Sequence, residues 1–209
     1  MDSKENKMEK LVNSYETLMK GNFEKNSSII GDVIGKISKY DLNIAVEMWK
    51  NLLKTHKDDL NDEEFGFRLT WGVGYEIEKE VGYDEWVKIF KNNADIMELY
   101  FSISSYCDDS AITKCLKNSD YDIAIKMFDY IYNKDLRYDD VGNVISKNEL
   151  IIRILSYFSL DQTYLSKEAI EILEMWIDKI SEEELKAKAD LYLIKLQDIY
   201  DDNTEADNV

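Results

Sequence analysis

The sequence predicts an all-α fold: antiparallel helical hairpins stacked in a right-handed array, an α-solenoid of about 9–11 helices. Three observations carry that prediction. The chain has 209 residues with no proline and only eight glycines, so it holds few helix breakers or tight strand turns. Its apolar residues recur at spacings of three and four, which places them on one helical face. A short helical phrase also returns about every forty residues, near the period of two-helix repeats. The apolar share of 44%, with 12% aromatics, is enough to build a core and excludes the disordered class.

The elements follow in order. Met8, Leu11, Val12, Tyr15, Leu18 and Met19 form the first stripe, ending near Gly21. Ile30, Val33, Ile34 and Ile37 form the second, and Leu42, Ala45, Val46, Trp49, Leu52 and Leu53 the third, with Asp41 placed as its N-cap. Further helices are expected at about 63–81, 83–91, 94–106, 109–118, 121–131, 147–159, 165–180 and 182–201. Gly66, Gly72 and Gly74 fall within one of these, where they either permit close packing or break the helix. Residues 133–147, with Asp135, Asp139, Asp140, Gly142 and Asn143, read as a loop. A single domain is expected over residues 1–201, followed by a flexible acidic tail over 202–209.

The recurring phrase reads DLNIAVEMWKNL from Asp41, YDEWVKIFK from Tyr83 and YDIAIKMFDYI from Tyr121. A fainter copy, EAIEILEMW, starts at Glu168, with either Ala169 or Ile172 in its small position. The pattern is a small or apolar residue followed four positions later by an aromatic: Ala45 and Trp49, Trp86 and Phe90, Ala124 and Phe128. A small residue lets a neighbouring helix approach and the aromatic fills the gap beside it. YDIAIKMFDYI resembles the second helix of a tetratricopeptide repeat, and DLNIAVEMW fits the same slot. Gly74 falls where that family carries a glycine, but the first helices lack its tryptophan–glycine–tyrosine signature and there is no closing proline. The resemblance, to tetratricopeptide or HEAT-like arrays, implies a role in binding a protein or peptide and transfers no functional residue.

Charge narrows the partner. The formal net charge is −17, and it is uneven: residues 1–60 carry ten basic and ten acidic side chains, residues 61–209 carry 16 and 33. Such a surface repels phosphate backbones and anionic lipid and attracts basic proteins. The expected partner is therefore a basic protein or peptide, with no direct nucleic acid and no membrane. Glu76, Glu80, Asp108, Asp109, Asp139 and Asp140, placed at helix ends or loops of the acidic part, are the candidate partner-binding residues. Small, acidic, helical inhibitors that mask cationic toxins, the immunity proteins, offer a class-level analogy.

The competing reading is a small all-α magnesium-dependent hydrolase or transferase. Asp58, Asp59 and Asp62 spell DDxxD, similar to the motif with which prenyl-transfer enzymes hold magnesium and diphosphate, and carboxylates one turn apart can share a hard cation. Glu76, Glu78 and Glu80, and Glu182 to Glu184, lack the paired spacing of a two-helix metal site and fit solvated faces. There is no phosphate-binding glycine loop, nucleophile elbow or HExxH. The single histidine, His56, stands among Lys54, Thr55 and Lys57 at the expected end of a helix. Cys107 and Cys115, eight apart and not in CxxC spacing, are expected as reduced core thiols in a cytoplasmic protein. No cofactor or metal is expected, and the charged N-terminus and lack of a long apolar run argue against export or membrane insertion.

Overall fold

The computed structural model describes residues 4–134, 137–139 and 142–206. Its regular structure is helical: among the described residues there is no named strand, only an isolated antiparallel bridge between Tyr138 and Val144. The contacts of the chain divide it into two compact units. The first comprises residues 1–106 with 140–142, the second residues 107–139 with 143–209. The division follows from the packing, because each unit closes a large-aromatic core of its own.

The first unit holds α1 (Lys4–Lys20), α2 (Phe23–Ser38), α3 (Leu42–Thr55), a 3-10 turn (Asp59–Asn61), α4 (Glu63–Phe67), α5 (Val73–Val81), α6 (Tyr83–Asn92) and α7 (Ala94–Met97). With no proline to stop a helix, side-chain caps set several starts: Asn22 accepts from the Lys25 amide at 3.0 Å, and Asp41 accepts from Ile44 at 3.1 Å, as the sequence predicts. α4 and α5 are one helical rod joined by a π-helical turn at Arg68–Gly72, and α7 runs into a second π-helical segment at Glu98–Ile103.

The glycines of 63–81 therefore do not break the helix, and two of them, Gly66 and Gly74, admit close neighbours. Gly74 lies under the rings of Trp49 and Tyr100, where an added Cβ would come within 3.3 Å and 3.4 Å of them. Around it Trp49, Phe90 and Tyr100 meet edge to face, with centroids 6.1, 5.8 and 5.5 Å apart. The buried Trp49 indole donates to the Leu69 carbonyl at 2.8 Å, so the large ring is placed without stranding its N–H. On its other side, α5 receives the backbone of α2 at Gly31 and Gly35.

The second unit holds α8 (Asp109–Lys117), α9 (Tyr121–Tyr132), α10 (Lys147–Leu160), α11 (Lys167–Ile177) and α12 (Glu183–Ala206). Its core centres on Phe128 stacked on Trp176 at 3.9 Å, with Phe158 fully buried nearby in the same unit. Ala45, Trp49, Trp86, Phe90, Ala124 and Phe128 are all buried, which is the packing duty their spacing requires. Ala169, Ile172, Leu173 and Trp176 are buried too, so the fourth copy is compatible with either register. Both cysteines are buried and free, and burial pushes the Cys107 thiol well above its ordinary range.

The loop expected at 133–147 is tied down from inside. Arg137 is 2% exposed and donates to the Tyr130 and Ile131 carbonyls at 3.0 and 3.4 Å, capping the C-terminus of α9. Burial pushes its pKa down to about 10. α12 differs from expectation at its end: residues 202–206 continue the helix, where Asn203 and Thr204 donate back to the Ile199 and Tyr200 carbonyls. Residues 202–206 thus belong to α12, and the final three positions lie outside the described residues.

Candidate functional site

The six acids singled out by charge have unequal fates. Asp108 is 2% exposed and serves as the N-cap of α8, accepting from the Ala111 amide at 3.0 Å and the Ser110 hydroxyl at 2.6 Å. Asp109 and Asp139 converge on one cation: Arg153 donates from Nε to Asp109 at 2.7 Å and from Nη1 to Asp139 at 3.1 Å. Asp139 also accepts from the backbone and side-chain amides of Asn143, at 2.8 and 3.1 Å. Burial works against the Arg153 charge, but the two carboxylates outweigh it and raise its pKa. Glu76 and Glu80 lie one turn apart on α5 and pair with Lys79 at 3.0 Å and Lys39 at 3.4 Å. Asp140 lies outside the described residues. Asp108 and Asp139 are thus buried acids whose charges are engaged within the fold.

The DDxxD carboxylates have separate surroundings. Asp59 accepts from, or is bridged to, the His56 ring at Nδ1 over 2.8 Å, Asp62 caps α4 by accepting from Glu64 and Phe65 at 3.0 Å each, and Asp58 is exposed. His56 itself ends α3 and stacks on Phe23 at 3.6 Å, so it is a packed helix terminus rather than an open surface residue. Among the described residues no group of three or more His, Cys, Asp or Glu side chains is placed to hold a metal ion. Among them, too, no helix is long and apolar enough to cross a membrane.

Of the aromatics, Tyr100, Phe101, Tyr106 and Phe158 are buried, Tyr130 and Tyr132 are half-buried and Tyr157 is exposed. Tyr132 is already covered by cations of its own unit, Lys179 at 5.1 Å and Lys147 at 5.5 Å from its ring centre.

A surface that the charge argument missed lies on α12. Ala189 and Leu196 are its fully buried residues. On the opposite side Glu184, Ala187, Leu191, Ile194, Asp198 and Asp201 follow at spacings of three and four, and all six are exposed. That is the spacing of a coiled-coil seam, here directed at solvent. Leu191 is 62% exposed and Ile194 52%, an uncommon exposure for adjacent-turn aliphatics. Among the described residues Asp190, Asp198 and Asp201 make no ion pair. α11 repeats the arrangement in smaller form, with Met175 56% exposed between Glu171 and Asp178 on one face.

No family model, curated protein or solved structure matches this chain. The functional reading therefore rests on the seam and its chemistry. Its signal was present in the sequence, since α12 carries two apolar stripes where a helix covered on one side needs one.

Proposed function

We propose that the chain is a non-enzymatic, helical-repeat binding protein of a reducing cytoplasm, and that the outward seam of α12 docks a basic amphipathic helix of a partner protein. The observation that supports this most is the order of residues along the seam: Glu184, then Ala187, Leu191 and Ile194, then Asp198 and Asp201. An apolar centre supplies burial, and acids at both ends select a partner with cations at matching positions. The second unit adds long-range attraction, with 12 basic against 22 acidic side chains. Within this reading, an immunity-type inhibitor that masks a cationic effector protein is the finer assignment, because a seam that buries one partner helix also occludes the surface around it.

The test is binding of a fluorescein-labelled leucine–lysine amphipathic helix, followed by anisotropy over a salt series. Leu191 and Ile194 are each about half covered already, so completing their burial stabilises the complex by about 1–1.5 kcal/mol apiece. Replacing both with serine should weaken binding by about 30- to 100-fold. Asp198→Lys with Asp201→Lys should lower the association rate and the salt sensitivity while leaving the apolar contribution in place. Equal affinity for wild type and the double serine variant rules out the seam.

A further inference from the structure

In a chain of net charge −17, the first unit gathers four lysines around one cleft. Lys7 and Lys10 come from α1, Lys36 from α2 and Lys39 from its C-terminal cap, while Leu11, Ser14, Tyr40 and Glu80 complete the lining. The cleft is open to solvent and has a volume of about 360 Å³, within the range of small-molecule sites. Its lining exposes more apolar than polar surface, which Leu11, the Tyr40 ring and the lysine stems can supply. Among the described residues Glu80 is the one carboxylate in the lining, and it is engaged by Lys39 at 3.4 Å. Among the described residues neither Lys7 nor Lys36 has an ion-pair partner. Four lysines against Glu80 leave this concave, partly apolar surface with a net positive charge, which can focus a positive potential that the rest of the molecule opposes.

We infer that this cleft binds a small multivalent phosphate, the ammonium groups holding the anion and the apolar lining residues Leu11 and Tyr40 receiving whatever organic group it carries. Lysines act on phosphate as mobile point charges, which suits a tetrahedral polyanion better than the planar fork demanded by a single carboxylate. This site is independent of the α12 seam: it lies in the other unit and takes a ligand of opposite charge to the proposed partner.

The experiment is titration calorimetry of the full chain at about 0.1 M salt with pyrophosphate, ATP, citrate and a short oligoglutamate peptide. Pyrophosphate and ATP should each bind one to one, and ATP more tightly, because its organic group adds contact with Leu11 and Tyr40. Lys7→Gln and Lys36→Gln, both at exposed positions, should each weaken binding about three- to fivefold with unchanged helix content. Glu80→Gln should tighten it, a direction that damage to the fold would not give. Absence of one-to-one binding by both phosphates, indifference to the lysine substitutions, or tighter binding of citrate or oligoglutamate than of pyrophosphate would each overturn the assignment.

Discussion

Replacing Gly35 by alanine probes the crossing of α2 over α5, and the neighbouring Gly31 supplies its control. A Cβ built at Gly35 meets the Glu76 Cβ at 2.7 Å, its carbonyl oxygen at 2.8 Å and its carbonyl carbon at 2.9 Å. Two of those atoms are backbone, so the two helices must part for the methyl to fit. Overpacking of this kind costs about 3 kcal/mol at its upper end, and glycine to alanine in a helix returns about 1 kcal/mol of propensity. Gly35→Ala should therefore lose about 2 kcal/mol, a fall of roughly 10 °C in the melting temperature of a unit of this size. At Gly31 the nearest atom is a Val73 side-chain carbon at 3.6 Å, an ordinary contact, so Gly31→Ala keeps the propensity gain and is stabilised by about 0.5–1 kcal/mol. Urea unfolding followed by circular dichroism reads both, with an unchanged slope showing that the midpoint shift is a stability change. A Gly35→Ala protein as stable as Gly31→Ala would refute the close approach of α2 and α5.

Three further expectations concern the second unit. Arg153→Ala removes the cation shared by Asp109 and Asp139, and because Arg153 is 38% exposed the cost is discounted to about 1–3 kcal/mol. Asp139→Asn in that background should recover part of it in urea unfolding, whereas a further loss would mean that the carboxylate is not held by Arg153. Ser146→Ala breaks the capping box at the start of α10, in which Ser146 and Glu149 each accept from the other's amide at 3.2 and 2.8 Å, and should cost about 1 kcal/mol. The backbone N–H of Ser146 first, and its hydroxyl second, hold the Glu149 carboxyl below its ordinary value of 4.5. Because this folded-state pKa is depressed, the contribution is present above pH 4.5 and is lost as pH falls through the folded value. The stability gap between wild type and Glu149→Gln should close over that acid range, and a gap that widened on acidification would reverse the sign of the argument.

The sequence made the helices legible because their signals are local. Asp41 sits where a cap is needed and accepts from Ile44, and the stripe from Ala45 to Leu53 is buried. Residues 63–81 form one rod, as periodicity predicts, but the π-helical turn at Arg68–Gly72 has no comparable local signature. Its neighbours Trp49 and Gly74 meet only in the folded chain. The division into two units was hidden for the same reason: the recurrence runs across the boundary at Tyr106, whereas the contacts that close each aromatic core do not. The candidate acids were chosen by position in the chain, and position does not reveal Arg153, which arrives from α10 to gather Asp109 and Asp139.

Net charge alone does not single out a docking surface on this molecule, because acids of one formal sign do different work. Asp108 and Asp62 hold helix N-termini, where the unpaired amides favour a negative group. Asp139 neutralises a half-buried arginine, and Asp95 takes Lys50 and Lys54 at 3.2 and 2.8 Å. Burial raises the Asp95 pKa, but the hydrogen bonds from Lys54 and Lys50 outweigh that and leave it lowered. Removing any of these acids perturbs folding and binding together. Asp198 and Asp201 stand apart because they neighbour exposed aliphatics and make no internal ion pair among the described residues. Charge reversal at those two positions should leave the unfolding midpoint unchanged while altering the salt dependence of association, and that separation is what distinguishes a docking acid from a structural one.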